Sequence, residues 1–161
     1  MMVRKATNKD FDFIFQLYMH PDVNRYLMYE IMDADSFQPI FEDLQKKDLL
    51  YLYEENGEAA GMFKLIPNTF RSAHIVYLGG LAVHPSFGGR GVGSRMMQAI
   101  INYSVSRGFI RIELSVAEAN TKAIHLYTKA GFEKEGILKK YTYLASENKF
   151  LDEIMMAYLA G

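Results

Sequence analysis

A cluster of glycines separates an apolar run from an amphipathic segment near the middle of the chain. The stretch VHPSFGGRGVGSRMM covers residues 83–97 and has glycine at positions 88, 89, 91 and 93. Glycine adopts positive φ at little cost and lets successive backbone amides turn toward one point without an intervening Cβ. A helix that follows such a loop adds unpaired N–H groups and the positive end of its dipole. These residues therefore predict an anion site suited to phosphate oxygens, to which Ser94 adds a hydroxyl.

Two familiar phosphate-binding patterns do not fit this loop. The Walker A pattern requires lysine after its last glycine, whereas Gly93 is followed by Ser94. The dinucleotide pattern G-x-G-x-x-G also fails, because its third glycine would fall at Met96 or at Ser94. The loop alone leaves two interpretations open, a phosphate site of another kind or a glycine-rich turn with no ligand.

A short predicted helix further along the chain carries a second candidate group. Asn120, Ala123, Tyr127 and Ala130 are spaced so that they share one face of this helix. The face is small in its middle and carries an amide and a phenol. Alternatively, Asn120 acts only as an N-cap and Tyr127 only as a core residue whose hydroxyl finds a partner.

The segments around these residues alternate between strand and helix patterns. Strands are predicted at 2–7, on both sides of a turn within 49–66, at 73–85, at 109–116, and near 132–138 and 150–159. Helices are predicted at 8–19, about 36–47, from Val92 to near Gly108, and from an Asn120 N-cap to Gly131. Because strands and helices alternate, we predict one α/β domain over residues 1–161 with a mixed sheet.

Three local details sharpen this prediction. Asn56-Gly57 is a strong hairpin-turn signal, and Gly79-Gly80 inside an apolar strand predicts a bulge or a close backbone approach. The strand at 109–116 alternates cleanly. Its apolar residues, expected on one side of the strand, are Ile110, Ile112, Leu114 and Val116.

Composition limits the classes of function. The chain carries 18 basic and 19 acidic side chains without a basic stripe, so a nucleic-acid partner is not expected. It has no cysteine, which excludes a disulfide framework and thiolate chemistry. The longest apolar run, IVYLGGLAV, is too short to span a bilayer, and MMVRKATNKD lacks the apolar core of an export signal. We expect a cytoplasmic protein with no membrane partner and no metal.

Together, the two groups of residues resemble the GNAT superfamily of acetyl-CoA-dependent N-acetyltransferases. The family pattern Q/R-x-x-G-x-G/A is nearly matched by GGRGVG at 88–93, and N-x-x-A-x-x-x-Y-x-K-x-G-F is matched in full from Asn120 to Phe132. The order of elements agrees from about Val3 to Leu159. The resemblance implies an α/β (α+β) fold in which a mixed, mostly antiparallel sheet of about seven strands, splayed at its centre, packs with about four helices.

The same resemblance implies roles for individual residues. Backbone groups of Leu81, Ala82 and Val83 would pair with the pantetheine arm of acetyl-CoA. The pyrophosphate would lie on the loop formed by Gly88, Gly89, Arg90, Gly91, Val92, Gly93 and Ser94. Asn120 and Ala123 belong to the same cofactor-binding set, and Tyr127 would stand by the thioester sulfur as general acid.

Two departures from the family pattern affect the expected affinity and the expected base. Gly88 stands where the family usually has glutamine or arginine, which predicts weaker coenzyme A binding rather than none. The strand before the loop lacks the acidic residue that many relatives use as general base. His74, Tyr77 or water alone remain as candidates, and a surface position for His74 is the alternative.

The missing carboxylate favours an α-amine as acceptor. At pH 7 an α-amino group with a pKa of ~7.7–8.0 is roughly 10–20% neutral, whereas a lysine amine is neutral about 0.04% of the time. The segments EGILKKYTYL and FLDEIMMAYL also resemble the ends of bacterial relatives that act on amino acids and similar small amines. The predicted function is acetyl transfer to the primary amine of an amino-acid-like metabolite.

The acceptor side is expected within residues 19–37, a region rich in aromatic residues and methionine. These residues are Tyr26, Met28, Tyr29, Met32 and Phe37, and core packing is the alternative role for them. Glu30 or Asp33 could hold an ammonium group or could simply be solvated. Two other functions remain open, a protein Nα-acetyltransferase of ribosomal-protein type and a non-catalytic acyl-CoA-binding module. A homodimer is compatible with each.

Overall fold

Over residues 2–161, which a computed structural model of the chain describes, seven strands form one sheet and four helices cover its faces. The strands are β1 (Met2–Lys5), β2 (Leu50–Glu55), β3 (Glu58–Pro67), β4 (Ile75–Val83), β5 (Arg111–Ala117), β6 (Glu133–Leu144) and β7 (Lys149–Leu159). The helices are α1 (Phe11–Met19), α2 (Ala34–Lys46), α3 (Val92–Ser106) and α4 (Thr121–Lys129). None of these described helices is long and apolar enough to cross a membrane.

At the centre of the sheet, β4 and β5 are paired along only part of their length. The strand order is β1-β2-β3-β4-β5-β7-β6, and β4 and β5 are its parallel pair, the other neighbours being antiparallel. The parallel ladder joins Ile75–Tyr77 to Arg111–Glu113 and then stops, although both strands continue. A gap therefore opens between the carboxyl halves of β4 and β5. The predicted mixed, mostly antiparallel sheet with splayed central strands is confirmed.

Strand alternation gives the sheet two apolar faces. Tyr53, Phe63 and Leu78 point to the face covered by α3 and α4, where Met96 and Ile100 are almost fully buried. The opposite face carries a second cluster under α1 and α2, which includes Leu52, Met62, Ala82, Tyr18 and Phe37. Each large apolar side chain that is fully buried contributes roughly 1.5–3 kcal/mol. The two clusters thus fix the strands on either side of the gap from above and below.

Two predicted backbone irregularities occur where glycine suggested them. Asn56 and Gly57 both have positive φ, 53° and 79°, as a type I′ hairpin turn requires. The register between β3 and β4 shifts between Met62 and Lys64, so β4 has one extra residue beside Gly80, whose φ is +56°. This bulge lies directly after the last rungs of the parallel ladder and marks the start of the gap.

Two sequence predictions differ from the observed elements. The strand expected near 132–138 continues to Leu144, because β6 pairs with β7 across two register shifts. Ile110, predicted to lie within the strand and on one side of it with Ile112, Leu114 and Val116, instead precedes β5 and is 54% exposed. Its backbone N–H bonds the carbonyl of His74, outside the β5 ladder, and here the side-chain alternation of a strand no longer applies.

The bulge supports a stability prediction for Gly80→Ala. Alanine at φ +56° is strained, and its Cβ would lie 2.6 Å from the Tyr18 hydroxyl oxygen. We expect a loss of about 1–3 kcal/mol in the free energy of unfolding, measured by urea denaturation.

The matched control is Gly136→Ala in β6, where a Cβ meets nothing within 4 Å and φ is not positive. That variant should change the unfolding free energy by no more than about 0.5 kcal/mol. Equal effects of the two substitutions would show that the bulge geometry has no special requirement for glycine.

Candidate active site

The glycine loop ends in the exposed amino terminus of α3. It leaves β4 through a 3-10 turn at Pro85–Phe87, and Gly91 is the N-cap residue of α3 with φ +71°. The first α-helical hydrogen bond runs from the Arg95 amide to the Gly91 carbonyl at 3.2 Å. The amides of Val92, Gly93 and Ser94 precede that bond, so they have no acceptor within the helix. The loop residues predicted to bind a pyrophosphate therefore form a backbone site that fits an anion.

Arginine side chains contribute less to this loop than its backbone does. The Arg90 guanidinium donates to the Ser86 carbonyl at 2.8 Å and lies 5.2 Å from the centroid of the Phe87 ring. Arg95 donates two hydrogen bonds, of 2.9 and 3.0 Å, to the Glu55 carboxylate. Both guanidinium groups thus have partners within the chain, and the backbone amides are the unpaired donors of the loop.

The face of α4 that the sequence singled out lies against the sheet core. Asn120 caps the helix, since its Oδ1 accepts from the Ala123 amide at 3.3 Å, and its NH₂ group keeps its donor capacity. Tyr127 is 8% exposed and packs against Phe132 with 6.0 Å between ring centroids. Burial, and to a smaller extent the nearby Tyr77, raise the pKa of the Tyr127 phenol well above its usual value. Tyr127 therefore stays protonated across the physiological pH range.

The gap between β4 and β5 joins the loop and α4. At the last parallel rung, the Tyr77 hydroxyl and the Ser115 Oγ are 2.8 Å apart in a hydrogen bond between the two strands. Beyond it, Leu81–Val83 belong to β4, whose other edge pairs with β3. Over residues 2–161 the edge that faces β5 has no strand partner there, which leaves backbone groups available to an extended ligand.

The two candidate bases lie at different points relative to β4: His74 at the closed end of its pairing with β5, and Tyr77 at the gap. His74 is exposed and precedes β4 at the closed end of the parallel pair, where its carbonyl accepts from the amides of Ile110 and Arg111. At about 3.3 Å per residue, the length of β4 separates it from the loop. Tyr77 lies at the gap, but burial raises the pKa of its phenol, which makes it a poor base at neutral pH. Neither side chain is therefore suited to deprotonate a strongly basic amine at the gap.

Residues 20–33, the α1–α2 segment, lie over the gap on the face opposite α4. Arg25 donates two hydrogen bonds, of 2.9 and 3.0 Å, to Glu147 in the turn between β6 and β7. The Glu30 carboxylate accepts from the Ala145 amide of the same turn at 3.0 Å. The segment thus connects the α1–α2 side of the sheet with the β6–β7 hairpin and crosses the splayed strands, and we call the region between the segment and these strands the cleft.

The residues proposed for the acceptor side have mixed roles. Phe37 is fully buried and Met32 packs against the same apolar cluster, whereas Met28 is 75% exposed. Asp33 is the N-cap of α2, accepting from the Ser36 amide at 2.8 Å, and Glu30 holds the β6–β7 turn. Both carboxylates therefore have structural partners, which weakens the prediction that either one holds an ammonium group.

Three residues that sequence reasoning did not select line the same cleft. Lys64 and Tyr18 meet at Gly80, and Ser115 bonds Tyr77 across the gap. A sequence signal exists only for Lys64, which is a lone charge in the otherwise apolar run AAGMFKLI. Tyr18 and Ser115 sit in ordinary helix and strand patterns.

Comparison with known proteins places this site in a family. The model of the acetyltransferase (GNAT) family matches residues 7–132, and the chain belongs to this family of acetyltransferases. An uncharacterized N-acetyltransferase of Methanocaldococcus jannaschii is 27% identical over 144 residues, covering 85% of this chain and 62% of the relative. The chain therefore spans about three fifths of that relative's length.

Two solved structures have the same fold. The spermidine N-acetyltransferase of Vibrio cholerae, in complex with CoA and spermine, superposes with a TM-score of 0.84 at 21% identity, over 98% of this chain and 94% of that one. The ribosomal-protein-alanine N-acetyltransferase of Brucella melitensis superposes with a TM-score of 0.79 at 20% identity, over 99% of both chains. The family assignment made from the two sequence motifs is confirmed.

Proposed function

We propose that this acetyltransferase moves the acetyl group of acetyl-CoA to the α-amine of a small, amino-acid-like metabolite. The observation that carries the proposal is the gap between β4 and β5. One of its faces has the glycine loop and α4, and the other has the cleft beneath the α1–α2 segment. Two reactants can therefore reach the same gap from opposite sides.

The residues of the first face fit coenzyme A. The unpaired amides from Val92 to Ser94 and the positive-φ residues Gly89 and Gly91 suit the pyrophosphate, and the free edge of β4 at Leu81–Val83 suits the pantetheine arm. CoA in the related Vibrio cholerae enzyme supports this choice of ligand. When bound, acetyl-CoA supplies the activated acetyl group.

The residues of the chain orient the acetyl donor, and Tyr127 supplies one hydrogen-bond donor. The β4 backbone positions the acetyl donor at the gap, and the α1–α2 segment limits the access of water to it. The Tyr127 phenol, kept neutral by burial, donates a hydrogen bond toward the position of the leaving sulfur. Its raised pKa makes complete proton transfer to a thiolate unfavourable, so stabilisation by hydrogen bonding is its larger contribution.

The acid–base properties of the cleft favour an acceptor that is already partly neutral. His74 lies at the closed end of the strand pair, and the pKa of Tyr77 is raised. With a pKa of about 8–9, an acceptor α-amine is neutral at pH 7 in a fraction of molecules roughly 25–250 times larger than a lysine ε-amine. Neither His74 nor Tyr77 is thus suited to deprotonate a lysine ammonium, which favours α-amines over lysine side chains as acceptors.

Two alternative functions fit the cleft less well. A protein Nα-acetyltransferase needs an open groove for a peptide, and the bonds from Arg25 and Glu30 to the β6–β7 turn close that side. A non-catalytic acyl-CoA-binding module has no need of a protonated phenol as acid, whereas Tyr127 is present in α4. A homodimer and a cytoplasmic location remain predictions.

The acceptor prediction is tested by a pH profile. With a free amino acid as acceptor, kcat/KM should rise with pH and level off near the acceptor's own pKa, about 8–9, because only the neutral amine attacks. Release of the coenzyme A thiol is measured with a free amino acid, with Nα-blocked lysine and with spermidine, and the free amino acid should be preferred at least about tenfold.

Two results would contradict this prediction. A break in the profile near pH 6–7 would indicate a base supplied by the enzyme. A preference of about tenfold or more for blocked lysine or for spermidine would point to protein lysines or polyamines as acceptors.

A further inference from the structure

Lys64 is a buried lysine without an ion-pair partner. It lies in β3 on the α1–α2 face and is 5% exposed. Its Nζ is 5.3 Å from the centroid of the Tyr29 ring, and within residues 2–161 it forms no salt bridge to a carboxylate. Burial lowers the pKa of the Lys64 ammonium, and no neighbouring anion offsets that effect. A largely buried cation with no anionic partner has the properties of a site that can bind an anion.

The Tyr18 hydroxyl is a buried donor without a partner at the same point. Tyr18 is fully buried, and its hydroxyl has no hydrogen-bond partner among the described residues. A Cβ added to Gly80 would lie 2.6 Å from this hydroxyl oxygen and 3.1 Å from the Lys64 Cε, so the two side chains converge on the bulge. Leaving a buried donor unpaired costs about 1–3 kcal/mol, which makes an empty site of this kind unusual in a packed core.

Lys64 and Tyr18 lie beside Tyr77, which borders the gap between β4 and β5. Lys64 pairs with Gly79 across the β3–β4 ladder, and the ring of Tyr77 lies next to Gly79 on the same face. Tyr77 in turn bonds Ser115 on the far side of the gap. Because Gly79 and Gly80 carry no side chains, Tyr77, Lys64 and Tyr18 can all lie close to the bulge.

The opposite side of the gap has the opposite charge. Glu153 of β7 pairs with Ala117 at the end of β5, and its carboxylate accepts from the Thr142 hydroxyl at 2.6 Å. Ile154 packs in the cluster under α3 and α4, so strand alternation places the neighbouring Glu153 on the opposite face, which also carries Tyr77 and Ser115. The cleft therefore has a cation on the β3 side and an anion on the β7 side.

We propose that Lys64 and Tyr18 form a subsite for a carboxylate of the acceptor, so that the acceptor is a zwitterionic amino acid. The inference rests on the proposed function and narrows its substrate class. A carboxylate would accept hydrogen bonds from both unpaired donors and would neutralise the buried ammonium. A polyamine, which brings two or more positive charges and no acceptor, would leave both donors unsatisfied and add repulsion from Lys64.

The first test compares an amino acid with its carboxamide, which keeps the α-amine and removes the negative charge. With the wild-type enzyme, kcat/KM for the free acid should exceed that for the carboxamide at least about tenfold. Lys64→Met should raise KM for the free acid and bring the ratio close to one, with a much smaller effect on the carboxamide. Lys134→Met, on the exposed edge strand β6, is the matched control and should keep the wild-type ratio.

A second measurement does not depend on turnover. The N-acetylated amino acid and its carboxamide are titrated into the protein by calorimetry, with wild type, Lys64→Met and Tyr18→Phe. Both variants should weaken binding of the acid, Lys64→Met more strongly, and leave binding of the carboxamide nearly unchanged. Tyr18→Phe removes one oxygen from a packed core, so it also serves if the lysine variant does not fold.

The outcomes separate this inference from the proposed function. If wild type and Lys64→Met show the same ratio of acid to carboxamide and bind the acid equally, the subsite does not exist, whatever amine is acetylated. If Lys64→Met reduces kcat for both acceptors equally and shifts the pH profile, Lys64 is a base and the inference is wrong. If wild type acetylates no amine, the proposed function fails, and the binding experiment alone decides on the subsite.

Discussion

Gly91→Val is expected to abolish acetyl-CoA binding in a calorimetric titration. Gly91 caps α3 at φ +71°, a backbone conformation that a β-branched residue adopts only with strain. A Cβ there would also lie 3.2 Å from the Arg95 Nη1, within the turn whose amides face the ligand. The substitution therefore displaces the unpaired amides at the start of the helix and fills the space where an amide and a phosphate oxygen must meet.

The matched control for Gly91→Val stands at the other end of the same helix. Gly108 follows α3 at φ +93°, and a Cβ there meets nothing within 4 Å. Gly108→Val should cost similar backbone strain while leaving acetyl-CoA affinity unchanged. Arg90→Ala, which removes a charge but no amide, should weaken binding less than about fivefold. Wild-type affinity in Gly91→Val would show that the loop does not hold the pyrophosphate.

Tyr127→Phe is expected to lower kcat on the order of 10²-fold with little change in KM for acetyl-CoA. The substitution keeps the buried ring against Phe132 and removes only the donor. Since burial raises the pKa of the Tyr127 phenol, its protonated form persists as pH rises beyond the usual value for tyrosine. The contribution of Tyr127 should therefore stay constant up to about pH 10 in a wild-type profile of kcat.

Tyr103→Phe provides the comparison for this effect. Tyr103 lies near the end of α3, where its hydroxyl accepts from Arg107 at 3.1 Å, away from the gap. Its loss should leave kcat unchanged. If Tyr127→Phe also retains the wild-type kcat, water protonates the thiolate and Tyr127 is only a core residue.

Local signals allowed much of this structure to be predicted. Positive φ has a strong preference for glycine, so the hairpin at Asn56-Gly57, the bulge at Gly80 and the end of α4 at Gly131 were all readable from a few neighbouring residues. The two family motifs likewise lie within short, continuous stretches. These features depend on backbone conformation or on one loop and one helix, which the sequence encodes directly.

Features that depend on distant partners were not predictable in the same way. Lys64 and Tyr18 are far apart along the chain and meet only because the α1 face packs on β3 beside a bulge. Glu30 and Asp33 are acidic residues in a polar segment, and only the fold shows that each already holds a backbone amide. The position of His74 relative to the gap likewise depends on where β4 and β5 diverge.

The short parallel ladder has a consequence for how the chain holds together. Strands β1–β4 form one continuous antiparallel half and β5–β7 another, and the sheet joins them only through Ile75–Tyr77 and Arg111–Glu113 in the described chain. Helix α3 is the covalent crossover between the halves, and its first turn is also the proposed anion site. A ligand that extends from this turn along the free edge of β4 toward α4 would contact both halves of the sheet. Binding of such a ligand would therefore stabilise the native state, and it would suppress local opening most where the two halves of the sheet meet.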